Sequence, residues 1–559
     1  MTRVLLIGGP GALTRAVAER LRESKGVESC HVVDAKGAAL TLPAEPTFDV
    51  VVYLGAAVGR RGWAPSPGRA EADLRSVAAS GVKAVVVVSS AAVFPPRNPH
   101  PGMVDETKPP LRGANAAADR WTALESAAKK VFDAQPGSVL TILRPAAVPT
   151  PDGDDYFSRL LRGRLGATVV GHDPSIQLLS ADDLGRAVAC VVDAGRPGLF
   201  HVVPAGVIPV HKALRLAHTL RVPLPAWLHR LGRWALRGVG AFPWGDAERL
   251  RYCATVSGRK AEQELGFRAT LSSAAVAASF GGRPLTEGNA GLPEFDPFGQ
   301  DKPYIAWLHR TVMGFLHSVW WRVEIAGIEN VPREGPAVLA GLHRGFMPFD
   351  GTMFLFDVVK HRGRYPRFLI HPNLVKEVFL SPFMERQGGI QACRPNADWV
   401  LQRGELLGYF PEGVDGAFSY YWEAHRLRED FGRDEFVKTA LRNRVPIIPF
   451  VTVGNVEIFP VLAKFDWGWW KKVTGWPCFP IAPPFPLLPV PLPTKWHTRI
   501  LEPLHVERTY GPGAASDEQV VAKIGAEVRA RMQATLDDMR ARRRHIFFGS
   551  IFEREASAG

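Results

Sequence analysis

The sequence predicts an α/β fold in two domains, and three observations carry that expectation. From Arg3 to about Ala278, short β-branched runs alternate with stretches of helical period. The stretch Gly281 to Pro303 is dense in Gly, Pro and polar residues and has no period, which marks a boundary. A second alternation of helix and strand then fills the remainder. The predicted division is residues 1–280, a linker over 281–303, and residues 304–559.

Length and composition agree with two sizeable cores. At about 100 to 200 residues per domain, 559 residues accommodate two to four domains and exclude a single small binding module. With 46% hydrophobic and 22% charged residues the chain is not a disordered one. The net charge of +13 attracts anionic partners without saying which: nucleic acid, membrane or phosphorylated substrate. Five scattered cysteines (Cys30, Cys190, Cys253, Cys393, Cys478) form no CxxC and suggest neither disulfide framework nor metal site, so a cytoplasmic setting is expected. The opening MTRVLLIGGPG reads as a first strand and not as a secretory signal. No uncharged apolar stretch of 18 residues occurs, so membrane contact is expected to be peripheral, at the inner face.

In the first domain the strands are read at VLLIG, CHVVD, VVVYLG, AVVVVSS and VLTILRP. The first runs into GGPGALT, where Gly8 and Gly11 permit a tight turn and close approach of backbone to a pyrophosphate on the next helix. Asp34 ends the second strand, where a carboxylate would bond the ribose hydroxyls of NAD. The plainer alternative is that these glycines only shape a turn and Asp34 is solvated.

These residues, with DVVVYLGAA (Asp49 to Ala57), VVVVSSAAVF (Val85 to Phe94), LRPAAV (Leu143 to Val148) and IQLLSADDLGRAV (Ile176 to Val188), resemble the extended short-chain dehydrogenase/reductase family, the NAD-dependent epimerases and dehydratases. The resemblance covers roughly the first 275 residues and implies a Rossmann-type, doubly wound parallel sheet. It implies NAD as cofactor and Ser90 as a substrate-positioning residue. The family's Tyr-x-x-x-Lys motif is missing: the matching helix reads GANAAADRWTALESAAKK, with Asn115 and Asp119 at the two positions. An amide and a carboxylate cannot reproduce a phenol acidified by an ammonium. Three readings follow: a domain that binds a dinucleotide without the standard catalysis, an oxidoreductase or epimerase using another acid such as Asp119, or a scaffold.

In the second domain, AVLAGLHRGFMPFDGTMF puts His343 at a strand end and Asp350 seven positions on. An imidazole held by a carboxylate supplies a base near neutral pH, as acyl transfer to a hydroxyl requires. A lone His and Asp at this spacing equally suit a loop histidine. The stretch LLGYFPEGVDG (Leu406 to Gly416) adds a strand ending in Phe-Pro-Glu-Gly.

The His…Asp block, GGIQACR ending at Arg394, FPEG around Glu412, and VPIIPFVTVG (Val445 to Gly454) resemble, in order, the lysophospholipid and glycerol-3-phosphate acyltransferase superfamily over about residues 304 to 510. The resemblance implies an acyltransferase domain with His343 as general base and Asp350 as its orienting partner. It implies Arg394 as a contact for an acceptor phosphate or headgroup, and Glu412 with Gly413 at the acceptor hydroxyl. Acyl-CoA or acyl carrier protein would be the donor and a lipid hydroxyl the acceptor. Six residues separate His343 from Asp350 where four are commoner, and this longer form looks like the monoacylglycerol/diacylglycerol acyltransferase-like branch. A neutral glyceride or another lipid alcohol is then favoured over lysophosphatidate, and Arg394 becomes a structural or donor contact, or a surface ion-pair partner.

The positive charge mixes with aromatics. The tract Lys464 to Trp496 interleaves Trp467, Trp469, Trp470, Trp476 and Trp496 with lysines, and its prolines prevent a spanning helix. It reads as an interfacial contact or lid, since Trp prefers the headgroup level. Leu214 to Gly240, with Arg230, Arg233 and Arg237, the helix Tyr304 to Trp321, and Arg540 to Phe552 are further candidates; ordinary core packing is the alternative for each. An anionic membrane surface is therefore the expected partner, and no nucleic-acid motif accompanies the charge.

Overall fold

The computed structural model describes residues 2–35, 40, 42, 48–58, 65–96, 102–110, 113, 115–135, 137–229, 247–371, 380–429, 431, 435–474, 476–488 and 490–552. It divides into two compact units, Met1–Gly299 and Gln300–Gly559. The stretch expected as a linker is bonded within the first unit: Asn289 accepts from the Ser272 amide and donates to the Thr270 carbonyl, the Arg283 amide donates to the Ala278 carbonyl, and Leu292 and Phe295 pack against the unit's core.

Unit 1 is built on strands β1 (Thr2–Gly8), β2 (Val27–Asp34), β3 (Val50–Leu54), β4 (Ala84–Val88), β5 (Val139–Pro145), β6 (Leu165–Val169), β7 (Ser175–Ile176), β8 (Gly198–Val202), β9 (Ile208–Pro209) and β10 (Leu220–Leu224). Six of them form one parallel sheet in the order β2-β1-β3-β4-β5-β8. The order reverses between β1 and β3, the switch point at which doubly wound sheets open a crevice beyond their carboxyl ends. Helices cover both faces, so β1 is apolar and buried without alternation from Val4 to Ile7. Val4 and Leu6 pack with Val17, Leu21, Leu184 and Val188, whereas Leu5 and Ile7 pack with Leu74, Val77, Trp121 and Leu124.

Unit 2 carries β11 (Glu324–Ala326), β12 (Ala337–Gly341), β13 (Arg367–Ile370), β14 (Gly389–Gln391), β15 (Leu406–Tyr409), β16 (Ile447–Val453), β17 (Ala463–Phe465), β18 (Phe479–Ile481) and β19 (His497–Ile500). Seven form a mixed sheet, β11-β19-β16-β12-β15-β13-β14, in which β19 runs antiparallel to β16 and the strands from β16 to β14 are parallel. β12 is buried at every residue and lies inside the sheet, flanked by β16 and β15. The C-terminal helix Glu518–Arg542 buries Val521, Ile524, Val528, Met532, Leu536 and Met539, a stripe at helical spacing. Each such side chain contributes about 1.5–3 kcal/mol. No helix among the described residues is long and apolar enough to cross a membrane.

Two expectations change. The helix anticipated over Tyr304 to Trp321 is broken: Lys302–Arg310 ends at Thr311, and Val312–Phe315 then passes into a wide turn at Leu316–Trp320. At the break a Cβ on Gly314 would lie 2.2 Å from the His309 carbonyl, so only glycine lets the chain fold back so closely. Trp321 and Trp496, both placed in candidate interfacial tracts, are fully buried and stack on each other at 4.6 Å, so they are core residues. Arg230, Arg233 and Arg237 lie outside the described residues.

Two buried histidines make stability depend on pH. His201 in unit 1 and His497 in unit 2 are pushed from 6.5 down to about 4, chiefly by burial, with Arg144 adding repulsion at the first and Lys495 at the second. Both stay neutral in the fold while the unfolded chain takes up protons below 6.5, so stability rises with pH from about 4 to 6.5 and is complete above. Thermal melts should show midpoints falling as pH drops through that window, and His201→Gln should weaken the dependence of unit 1 without abolishing it, because His172, also buried, is likewise pushed down to about 4. Midpoints constant across it would contradict this account.

Candidate active site

His343 lies two residues beyond the carboxyl end of β12, and Asp350 sits in the first turn of the helix Phe349–Arg362. The connection is tight. Gly345 has φ +79, and a Cβ there would come within 2.8 Å of the Asn455 carbonyl oxygen; Phe346 is held at φ 36, a region that non-glycine residues seldom adopt. The result is that two side chains seven residues apart meet. His343 Nδ1 is 2.8 and 2.9 Å from the two Asp350 oxygens.

Asp350 has no exposed side-chain surface and is surrounded by donors. It accepts from the amides of Arg344 at 2.9 Å and Gly351 at 3.0 Å as well as from His343. A carboxylate so placed keeps the proton of a neutral imidazole on Nδ1 and leaves Nε2 free to accept one. The imidazole is partly exposed and its ring lies 5.0 Å from Phe410.

His343 opens on an apolar cavity of about 990 Å³, its open mouth included, walled by Phe346, Leu355, Phe368, Phe410, Phe418 and Trp476. Gly413 also lines it, whereas no arginine or lysine does among the described residues. Thr352, His371 and Gln387 are its other polar lining residues, and so largely apolar a space suits hydrocarbon next to a reactive imidazole.

The other expected residues fall elsewhere. Glu412 does not line the cavity: its carboxylate is buried, 2.6 Å from Arg344 Nη1, and accepts from the Arg428 amide at 2.8 Å. The Arg344 contact is a charge pairing not aligned as a hydrogen bond. Arg394 starts the helix Arg394–Gln402, is 68% exposed and pairs with Asp398 at 3.5 Å, the surface arrangement weighed as its alternative.

Arg344 is the residue that motif reading missed. It is 1% exposed, donates to the carbonyls of Ala424 (2.7 Å) and His343 (2.9 Å), and faces Glu412. It thereby ties the Phe-Pro-Glu-Gly loop to the backbone of the histidine. Its signal was an arginine directly after a strand-end histidine, in a stretch otherwise apolar up to Asp350.

These features define unit 2 as an acyltransferase domain, and the family model described as Acyltransferase matches residues 322–453. The chain belongs to the family of the mycobacterial protein Rv0502, an uncharacterized protein of Mycobacterium tuberculosis: the two are 36% identical over 260 residues, 45% of this chain and 72% of that one. A second relative, the bovine DGAT1/2-independent enzyme synthesizing storage lipids, is 30% identical over 186 residues, 32% of this chain and 52% of its own length. Solved structures with a likeness include MoeE5 in complex with UDP-glucuronic acid and NAD (17% identity, TM-score 0.40, 50% of this chain and 98% of that one). The human epimerase family protein SDR39U1 with NADPH is another (18%, 0.39, 50% and 100%).

Unit 1 has the strand order of a dinucleotide fold, with Gly8 at the end of β1 in register with Asp34 of β2. Thr14, in place of a third glycine, bonds back to the Gly9 carbonyl at 2.6 Å. Gly11 precedes the helix Ala12–Glu23, whose first free amide would meet a pyrophosphate oxygen. That amide already donates, at 2.9 Å, to Asp152. Partial burial alone would raise the Asp152 carboxyl, but the Ala12 amide, the Thr150 hydroxyl and the Arg15 charge outweigh it and hold it below the usual carboxylate value. A pyrophosphate binding here would therefore compete with the half-exposed Asp152 carboxylate for that amide.

The catalytic positions are committed too. Asn115 caps the helix Ala116–Phe132, accepting from the Ala118 amide, and Asp119 accepts from the Gly113 amide. Ser90 caps a short turn through the Ala92 amide and lines a smaller cavity with Phe94, Phe157, Gln177 and Tyr252.

Two outcomes check these placements. Asp152→Ala should raise the affinity of the full chain for NAD about tenfold or more in calorimetric titration, and equal affinity would show that Asp152 blocks nothing. Arg344→Met should cost about 3–5 kcal/mol in chemical denaturation by stranding Glu412. The pair Arg344→Met with Glu412→Leu should recover most of that loss.

Proposed function

We infer that this chain moves a fatty acyl group from acyl-CoA or acyl carrier protein to the hydroxyl of a glycerolipid or other lipid alcohol, working at the inner face of a membrane from the cytoplasm. The observation that carries the reading is the His343–Asp350 pair at the mouth of an apolar cavity. His343 Nε2 takes the proton of the acceptor hydroxyl as its oxygen attacks the thioester carbonyl. The carbon–sulfur bond breaks and the thiol leaves with the proton that the imidazolium returns. Asp350, fixed by two backbone amides, stabilises the imidazolium between those events. The cavity wall excludes water, which would otherwise hydrolyse the thioester.

A neutral acceptor is favoured over a phosphorylated one, because no cation among the described residues lines the cavity and Arg394 pairs at the surface. The activity for which the bovine relative is named, storage-lipid synthesis, points the same way. The function rests on unit 2, and no step is assigned to a dinucleotide.

Purified protein given long-chain acyl-CoA should release free CoA with mono- or diacylglycerol and far less with lysophosphatidate. His343→Ala should lower that rate at least about a hundredfold. Equal rates in variant and parent would remove His343 from the chemistry.

A further inference from the structure

We propose that unit 2 docks on an anionic phospholipid bilayer through one composite aromatic surface that borders the acyl cavity. The proposal deepens the membrane part of the reading above, and three chain segments distant in sequence build the surface. The first is the broken helical segment, which exposes Val312, Phe315 and Val319. The second is the proline-rich loop after β18, where Leu487 is 91% exposed and Leu488 and Val490 are also bare. The third is the chain end beyond the last helix, where Phe547 and Phe548 face solvent.

Hydrogen bonds hold these segments side by side. Trp320 Nε1 donates to the Pro491 carbonyl at 2.9 Å, and Trp321 Nε1 to the Leu492 carbonyl at 3.1 Å. Arg322 donates to the Phe547 carbonyl at 2.7 Å and lies over the Phe548 ring at 5.9 Å. The Lys495 amide bonds the Ile546 carbonyl at 2.9 Å. Apolar tips that a soluble surface would discard are thus anchored in place.

The surface continues to the site. Phe485, two residues before Leu487, packs at 6.1 Å on Phe479 and at 6.3 Å on Trp476, and Trp476 lines the cavity. Phe479 leads to an exposed ridge in which Trp467 stacks on Phe465 at 5.6 Å and on Trp469 at 6.1 Å.

Charge and shape choose a bilayer as the occupant. From Leu462 to Trp496 the chain holds Lys464, Lys471, Lys472 and Lys495 against one acid, Asp466, and from Arg540 to Phe552 four arginines and no acid; Lys495 and Arg543 are taken up in largely buried pairs with Glu324 and Glu457 and do not count toward the surface. Arg540, Arg542 and Arg544 are exposed beside the phenylalanine tips. Protruding aromatic and aliphatic tips ringed by cations match the headgroup zone, where tryptophan settles and basic residues meet anionic lipid. A protein partner would need a complementary set of pockets for side chains as isolated as Leu487.

Flotation with vesicles tests this without any turnover. Parent protein should rise with phosphatidylcholine vesicles containing about 30% phosphatidylglycerol, and less with pure phosphatidylcholine. The pairs Leu487→Ser/Leu488→Ser, Phe547→Ser/Phe548→Ser and Trp467→Ser/Trp469→Ser should each lower the partition coefficient about fivefold to tenfold, with unchanged melting midpoints. Their CoA release from a water-soluble short-chain acyl-CoA should equal that of the parent. His343→Ala should float like the parent, so loss of the chemistry and loss of docking are read separately. A parent that stays at the bottom, or serine variants that float undiminished, would overturn the proposal. So would a parent dimer that the variants convert to monomer without any change in flotation, since a second copy would then be the occupant.

Discussion

A carboxylate sealed from water at the start of a helix governs the active end of unit 2. Asp350 has no solvent to stabilise its charge and depends on the Arg344 and Gly351 amides and on His343 Nδ1. These donors come from the β12 turn and the first helical turn, so the charge can be buried only when strand, turn and helix are all in place. Orientation of the imidazole and local folding are one condition. The positive φ at Phe346 and the glycine requirement at position 345 are the conformational cost of bringing that turn beneath the carboxylate.

Around this centre a second buried charge acts as a tie. Arg344 reaches from the position after His343 to Glu412 in the loop after β15, and to the carbonyl of Ala424. The same loop delivers Phe410 to the imidazole and Gly413 to the cavity. Desolvation makes such a pair weak evidence for stability but strong evidence for fixed geometry, because neither charge can move without stranding the other. The Phe-Pro-Glu-Gly motif thus supplies part of the cavity wall through Phe410 and Gly413 and braces it from behind through Glu412.

Much of the fold was legible because its elements are long and periodic. The expected strand VLLIG falls within β1, VPIIPFVTVG contains β16, and the strand expected to end at His343 is β12, which stops two residues earlier. His343 and Asp350 were legible as a pair because both lie in one local block. Glu412 was harder to read, since its partner Arg344 is 68 positions away and only folding reveals that the carboxylate is taken. Tryptophan offered no local cue at all: Trp467 and Trp496 belong to one lysine-rich tract, yet one is exposed and the other is core. The break at Thr311 was hidden because the apolar period runs straight through it.

Asp152 gives unit 1 an unusual kind of ligand, one attached to the protein. A carboxylate tethered opposite a helix N-terminus has a local concentration that a free dinucleotide must exceed before it gains the amide, commonly in the millimolar range for short tethers. It also completes the helix end without help from solution, so this part of the sheet can fold to the same stability whether the cell is rich or poor in nucleotide.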